Sequence, residues 1–120
     1  MSRYLRASGD PRLFDRLVQR AIRRLPPEFR AALANVAIVV EEEPEGPDEL
    51  LGQYFGQPLP ARAGAEPLLP DRIVLYRGPL VRACGGDRSL LAAEIERTLL
   101  HEVGHLLGLD EGRLAELGLE

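Results

Sequence analysis

The alternation of apolar and polar residues near the start of the chain has the period of an amphipathic helix. Apolar residues recur at helical spacing from Leu13 to Leu25, and arginines occupy many of the positions between them. Asp10-Pro11 is typical of a helix start, because aspartate caps the first turn and proline fits within it. The pattern predicts a helix with a solvated arginine face that ends at Pro26-Pro27, followed by a short helical turn over residues 27–33.

The composition of three short stretches predicts β-strands. Val36–Glu41 is a β-branched run that suits a buried strand, and residues 73–76 form a second clear strand, which Gly78-Pro79 closes. Residues 51–56 are predicted to form a shorter strand that ends in a turn. The chain therefore has enough strands for one small sheet.

Two loops separate these strands. The connection over residues 41–49 is acidic and broken by prolines, and it is predicted to be a solvated loop rather than a metal site. Residues 57–71 contain four prolines and form the longest predicted loop. A small domain seldom keeps such a loop without a purpose, so it is interpreted as a lid or the rim of a binding site.

A second amphipathic helix is predicted between Gly85-Gly86 and about Leu107, capped by Asp87 or Ser89. Its apolar positions cover about half of the circumference and are Leu91, Ile95, Leu99, Leu100, Val103, Leu106 and Leu107. The opposite arc holds Glu94, Arg97, Thr98, His101, Gly104, His105 and Gly108. This arc is expected to face a cleft or solvent. Further on, Leu114 and Leu117 predict a final turn that packs the end of the chain.

Together these elements predict an α+β fold, in which a small mixed sheet packs against the second amphipathic helix and the N-terminal helix. The length of 120 residues predicts one domain over residues 1–120. Cys84 is the single cysteine, so no disulfide framework is expected. Its thiol is interpreted as a small packed group.

Charge and hydropathy argue against several classes of function. The formal net charge of −4 gives no electrostatic case for binding nucleic acid. All 15 basic residues are arginine, which indicates genome composition or thermophily rather than a partner. No apolar run approaches the length of a membrane span, and the N terminus lacks the hydrophobic region of a signal peptide. We therefore expect a cytoplasmic protein that binds neither nucleic acid nor a membrane, and its oligomeric state stays open.

Both histidines of the chain lie in the stretch His101-Glu102-Val103-Gly104-His105. On a helix, residues four apart share a face, so the two imidazoles can bind one metal ion. Glu102 lies one position round from His101, where it can reach a water on the metal without binding the metal itself. Zinc hydrolases use this H-E-x-x-H arrangement, with the glutamate as proton acceptor. An ordinary polar helix face is the alternative, but glycines at 104 and 108 favour a surface that a ligand or backbone approaches closely.

A catalytic zinc site has three protein ligands and keeps one position for water. Few residues follow His105, which favours a third ligand close behind the motif, in the spacing H-E-x-x-H-x-x-G-x-x-ligand. That position is Glu111. A continuous helix would carry residue 111 out of reach, but Gly108 can end the helix at positive φ and turn the chain back. Asp110 is the rival third ligand.

With these motifs the chain resembles the minimal zincin-like metallopeptidases of bacteria from about Val36 onward. The resemblance rests on residues 51–56, 69–80 and 98–111, the last of which carries the H-E-x-x-H-x-x-G-x-x-acid motif. It implies that His101 and His105 bind Zn²⁺ with the acid at position 111, and that Glu102 is the general base. The methionine turn of larger metzincins is absent, since Met1 is the only methionine.

The resemblance further implies that the protein hydrolyses peptide bonds of a peptide or protein substrate. In zincins an edge strand beside the cleft pairs with the extended substrate, and residues 73–76 are predicted to be that strand. Tyr54, Tyr76 and Arg77 are candidates for stabilising the oxyanion, and the sequence selects none of them. The alternative functions are zinc binding without catalysis and protein binding by a module whose ancestral site has decayed. Glu102, which a purely structural site does not need, argues against both.

Overall fold

The computed structural model describes residues 10–57 and 71–119. The elements in chain order are α1 (Pro11–Arg24), α2 (Pro27–Ala31), β1 (Val36–Glu41), β2 (Gly52–Phe55), β3 (Asp71–Tyr76), α3 (Arg77–Ala83), α4 (Arg88–Leu106) and α5 (Glu111–Glu116). The predicted α+β fold class is confirmed. The loop interpreted as a lid or rim, residues 57–71, lies for the most part outside the described residues.

The three strands form one mixed sheet in the order β1-β3-β2. β1 is parallel to β3 and β2 is antiparallel to it, so that Ile73 pairs with Ile38 on one side and Tyr54 on the other. The prediction that residues 73–76 form the edge strand beside the cleft is therefore wrong, because β3 is the central strand. Its continuous apolar run is typical of a strand whose two faces are both buried, and it does not by itself show which strands pair with it. Among the described residues, β2 pairs with β3 alone, so no strand lies along its other edge.

Helix α4 packs against α1 and against strands β2 and β3. Asp10 caps α1, since its carboxylate accepts a hydrogen bond from the N–H of Arg12. The arginines of α1 are exposed, as predicted. A core cluster joins the buried faces of these elements and includes Leu13, Phe14, Leu17, Val18, Ala21, Leu25, Ile73, Leu75, Leu80, Cys84, Leu91, Ile95, Leu99 and Val103.

Helix α3 is an element that the sequence pattern does not predict. Gly78 and Pro79 have the composition of a turn, yet they lie in the first turn of this helix. A proline is tolerated there because the first N–H groups of a helix have no acceptor within it. The helix ends at Ala83, and burial of the neighbouring Cys84 raises the pKa of its thiol. This supports the interpretation of Cys84 as a packed group rather than a nucleophile.

Two arginines of α3 hold the acidic connection between β1 and β2. Arg77 forms a two-point ion pair with Glu42 at 2.6 and 2.5 Å. Arg82 pairs with both Glu43 and Glu49. The connection is exposed, as predicted, but these ion pairs fix its two ends and so fix the approach of the chain to β2.

Helix α4 begins at the turn formed by two glycines with positive φ, Gly85 at 56° and Gly86 at 86°. Asp87 caps the helix by accepting the N–H of Leu90, which selects it over Ser89 as the cap. None of the helices in the described part of the chain has the length and hydrophobicity that a bilayer crossing requires.

Candidate metal centre

His101 and His105 lie one turn apart on α4, and their side chains converge. Their Nε2 atoms are 3.2 Å apart, and the rings meet edge to face. The side chains are 19% and 27% exposed, respectively, so both can be reached from solvent. The helix therefore directs two imidazole nitrogens to one point, as the spacing predicts.

Backbone carbonyls hold the other nitrogen of each ring. Nδ1 of His101 is 3.0 Å from the carbonyl oxygen of Leu119, and Nδ1 of His105 is 3.1 Å from that of Leu109. Because a carbonyl oxygen can only accept, these contacts assign a donated proton to each Nδ1. A neutral ring then keeps its lone pair on Nε2, the form in which a histidine binds a metal through that atom.

Gly108 ends α4 and turns the chain back toward the histidines. Its φ of 87° lies in the left-handed region that glycine tolerates. The N–H of Gly108 donates to the carbonyl of His105, and the N–H of Leu109 donates to that of Gly104. These are the two hydrogen bonds of a Schellman motif, so Gly108 has the helix-ending role that was predicted for it.

This turn places Glu111, and not Asp110, beside the histidine pair. Oε1 of Glu111 is 2.9 Å from Nε2 of His105 and 3.3 Å from Nε2 of His101. Asp110 is instead the cap of α5, and its carboxylate accepts the N–H of Arg113 at 2.8 Å. The two neighbouring carboxylates therefore have different surroundings. From sequence, the motif spacing favoured Glu111 and kept Asp110 as the rival third ligand.

A close contact between α4 and α5 sets the position of Glu111. Leu114 is fully buried, and its side chain lies where a Cβ atom at position 104 would be. Only glycine at 104 permits this approach. Since Glu111 and Leu114 lie one turn apart on α5, the packing of Leu114 on α4 holds Glu111 over the histidines.

Glu102 lies beside the histidines and beneath β2. A carboxylate oxygen of Glu102 and nitrogens of the two histidines lie within 4.8 Å of one another. Glu102 is only 7% exposed, and the backbone N–H of Tyr54 in β2 donates to its carboxylate. Burial raises the pKa of Glu102, although the two histidines and the Tyr54 hydrogen bond act in the opposite direction. A carboxylate with a raised pKa is a better proton acceptor than an exposed one.

The donor atoms fit a zinc ion. Tetrahedral zinc with ligands at about 2.0–2.2 Å holds its ligand atoms about 3.3–3.5 Å apart. The separations among Nε2 of His101, Nε2 of His105 and Oε1 of Glu111 are 3.2, 3.3 and 2.9 Å. With a proton on each Nδ1, these atoms are three acceptors that face one another, an arrangement that a cation among them stabilises. Imidazole and carboxylate are also donors that zinc accepts.

The three donors lie in a cleft of about 770 Å³ between β2 and α4. Its lining includes residues 49–54, residues 108–111 and six residues of α4, which are Glu94, Arg97, Thr98, His101, Glu102 and His105. β2 lies so close to α4 that a Cβ atom at Gly52 would be 2.7 Å from Cγ2 of Thr98. Thr98 therefore lines the cleft but is largely covered by β2.

The structure separates the three candidates for stabilising an oxyanion. Tyr54 lines the cleft, and its hydroxyl donates to Asp71. Tyr76 is buried in the central strand, with its hydroxyl bonded to Gln53, and Arg77 is paired with Glu42 outside the cleft lining. Neither Tyr76 nor Arg77 is brought to the histidine pair.

The chain matches the family model described as zincin-like metallopeptidase over residues 33–119. It belongs to this family. A solved structure titled as a conserved hypothetical protein from Thermo thermophilus is similar, with 28% sequence identity and a TM-score of 0.55. That similarity covers 89% of this chain and 96% of the other. No match is found among curated proteins.

Membership of the zincin-like family confirms the resemblance stated from sequence. It implies zinc, and His101, Glu102 and His105 form a group that could hold a metal ion. Sequence reasoning missed the backbone groups of the site, which are the carbonyls of Leu109 and Leu119 and the N–H of Tyr54. Nearly every residue has these backbone groups, so the residue type does not show which of them will contact the site. Only the turns that orient them can be predicted, from residues such as glycine.

Proposed function

We propose that the protein is a zinc-dependent metallopeptidase that hydrolyses peptide bonds in the cleft between β2 and α4. The observation that carries this proposal is the convergence of Nε2 of His101, Nε2 of His105 and Oε1 of Glu111, with the buried carboxylate of Glu102 beside them. A structural zinc site is closed by four protein ligands. The three donors here line a cleft large enough for part of a peptide, which favours catalysis over a structural role.

His101, His105 and Glu111 would hold the metal. When bound there, zinc would supply Lewis acidity toward the scissile carbonyl and lower the pKa of a water ligand. The carboxylate of Glu111 comes from a separate helix, so α4 and α5 must stay packed for the set to be complete.

Glu102 would move the proton. It accepts a proton from the attacking water and then donates it to the nitrogen of the leaving amine. Its place beneath β2 keeps the carboxylate largely out of solvent, and the N–H of Tyr54 orients it. These features suit a proton carrier and are not needed for binding a structural ion.

The substrate would bind along β2, in place of the edge strand predicted from sequence. The carbonyl of Leu51 accepts the N–H of Tyr76 in β3, so the alternate residue Gly52 directs its main-chain groups toward the other edge. Gly52 also lines the cleft. An extended peptide can pair with such an edge through its backbone, which gives affinity with little dependence on sequence.

The experiment compares wild type with Glu102→Gln from identical purifications. Zinc content and thermal stability are expected to stay close to wild type, because glutamine has nearly the same shape and the three ligands are intact. Turnover of a peptide found by a library digest is expected to fall at least about a hundredfold, the usual contribution of a positioned base. Glu96→Gln is the matched control, since Glu96 lies on the same helix and pairs with Arg24 outside the cleft. Equal turnover in wild type and Glu102→Gln would refute the proposed peptidase activity. The proposed zinc site would not be affected by that result.

A further inference from the structure

A four-residue pattern occurs twice at the end of the chain. Leu107-Gly108-Leu109-Asp110 follows α4, and Leu117-Gly118-Leu119-Glu120 follows α5 with the same order of leucine, glycine, leucine and acid. Both glycines have left-handed backbone, with φ of 87° at Gly108 and 72° at Gly118. The left-handed conformation of the glycine is therefore repeated together with the sequence.

The hydrogen bonds of the two turns are also the same. After α5, the N–H of Gly118 donates to the carbonyl of Ala115, and the N–H of Leu119 donates to that of Leu114. These bonds have the spacing of those that Gly108 and Leu109 make after α4. Both turns are thus Schellman motifs, in which the residue after the glycine has its orientation fixed by the helix that ends there.

Each turn directs one carbonyl at one histidine. Leu109 follows the first glycine, and its carbonyl accepts the Nδ1 proton of His105 at 3.1 Å. Leu119 follows the second glycine, and its carbonyl accepts the Nδ1 proton of His101 at 3.0 Å. In each turn, the residue after the glycine therefore supplies the carbonyl that accepts the Nδ1 proton of one histidine.

We infer that the Gly118-Leu119 turn is a positioning element of the metal centre, which keeps the lone pair of His101 on Nε2 and aims it at the ion. This inference rests on the proposed function, since it takes His101 as a ligand. Without an acceptor at Nδ1 the ring is free to rotate, and its proton is free to move to Nε2, where it blocks the metal. Partners of this kind contribute about 10- to 100-fold to metal affinity.

The backbone conformation of Gly118 makes the turn testable without touching His101. A Cβ atom at Gly118 meets nothing within 4 Å, so a side chain there acts through the positive φ and not through a clash. Gly118→Val is expected to open the turn, because a β-branched residue strongly disfavours that φ. Gly118→Asn is expected to keep it, because asparagine tolerates left-handed backbone. Gly46→Val is the control, since Gly46 has φ of 85° and equally open surroundings in the β1–β2 connection.

Two measurements are made on the full-length proteins. The ¹⁵N signals of the imidazole rings in the zinc-free protein report which nitrogen carries the proton, and chelator competition gives the zinc affinity. In Gly118→Val, His101 is expected to lose its preference for Nδ1–H while His105 keeps it, and zinc affinity is expected to fall about 10- to 100-fold. Gly118→Asn and Gly46→Val are expected to match wild type in both measurements. If Val at 118 unfolds α5, Gly118→Ala supplies the same comparison with a smaller backbone penalty.

Unchanged ring signals and zinc affinity in Gly118→Val would overturn the inference. Equal changes at His101 and His105 would also overturn it, because they would show a general loosening of the site. A wild-type protein that binds no zinc would refute the proposed function instead. The ring signals of His101 would still decide whether Leu119 positions it.

Discussion

Oε1 of Glu111 lies 2.9 Å from Nε2 of His105, although α4 has ended and the chain has reversed between the two residues. Two glycines make this possible. Gly108 permits the left-handed turn, and Gly104 permits the close approach of Leu114 on α5. The three donors therefore depend on the packing of two helices and not only on the spacing of the histidines.

The first prediction is that each histidine is required for tight zinc binding. His101→Ala and His105→Ala each remove one of three donors, so both variants are expected to lose zinc to a chelator that wild type resists. Zinc content after dialysis against the chelator is the measurement, and Glu96→Ala is the control, because Glu96 lies on α4 outside the cleft, where it pairs with Arg24 of α1. A full equivalent of zinc in either histidine variant would contradict the assignment.

The second prediction distinguishes the two neighbouring carboxylates. Glu111→Gln removes the charged oxygen beside the histidines, and zinc affinity is expected to fall at least about tenfold. Asp110→Asn is the matched control, because asparagine caps a helix about as well as aspartate and α5 should persist. Competition titrations on both variants give the ranking. If Asp110→Asn lowered zinc affinity more than Glu111→Gln, the third ligand would be Asp110 and the assignment of Glu111 would be wrong.

Local signals explain why the histidine pair, α1 and α4 could be predicted from sequence. The caps at Asp10 and Asp87 and the 3.6-residue period are properties of a few neighbouring residues, so they do not depend on the rest of the fold. The spacing of His101 and His105 is likewise fixed by the helix that carries them. The same reasoning placed Gly108 at the end of that helix.

Two features of the structure depend on contacts between distant parts of the chain and could not be predicted from local sequence. Whether β2 or β3 is the edge strand depends on which strands pair, and the apolar run at residues 73–76 fits either position until β1 is placed beside it. The choice between Asp110 and Glu111 depends on where α5 begins. That in turn depends on the contact of Leu114 with Gly104, which joins two separate helices.

The third prediction tests that contact. In Gly104→Ala the new methyl group would collide with Leu114, a cost of about 1–3 kcal/mol that outweighs the gain in helix propensity of up to about 1 kcal/mol, so the free energy of unfolding is expected to fall. Zinc affinity is expected to fall as well, because α5 moves and carries Glu111 with it. Gly112→Ala is the control within α5. Its Cβ would make only an ordinary contact, 3.5 Å from the Asp110 carboxylate, so it should be neutral or stabilise by up to about 1 kcal/mol. Denaturant unfolding with and without zinc measures both effects, and a Gly104→Ala protein as stable as wild type would refute the argument.

The fourth prediction concerns the contact between β2 and α4 that places Tyr54 over Glu102. A Cβ atom at Gly52 would lie 2.7 Å from Cγ2 of Thr98, so Gly52→Ala is expected to push β2 away from α4. The expected cost is about 1–3 kcal/mol of unfolding free energy. Peptide hydrolysis should fall with it, because Glu102 loses the N–H of Tyr54 that orients it.

Thr98→Ser removes the methyl group with which the new side chain collides, so the two changes should compensate. Alone, Thr98→Ser deletes one buried methyl group and is expected to cost about 1 kcal/mol. In the double variant part of the loss caused by Gly52→Ala should be recovered, and the rest should remain because the Cβ would also lie 3.2 Å from the carbonyl of Val74. Unfolding free energy and turnover of all four proteins complete a double-mutant cycle, in which coupled neighbours differ from additivity by about 0.5–3 kcal/mol. Strictly additive effects would show that Gly52 and Thr98 do not meet, and would remove the reason for placing β2 over Glu102.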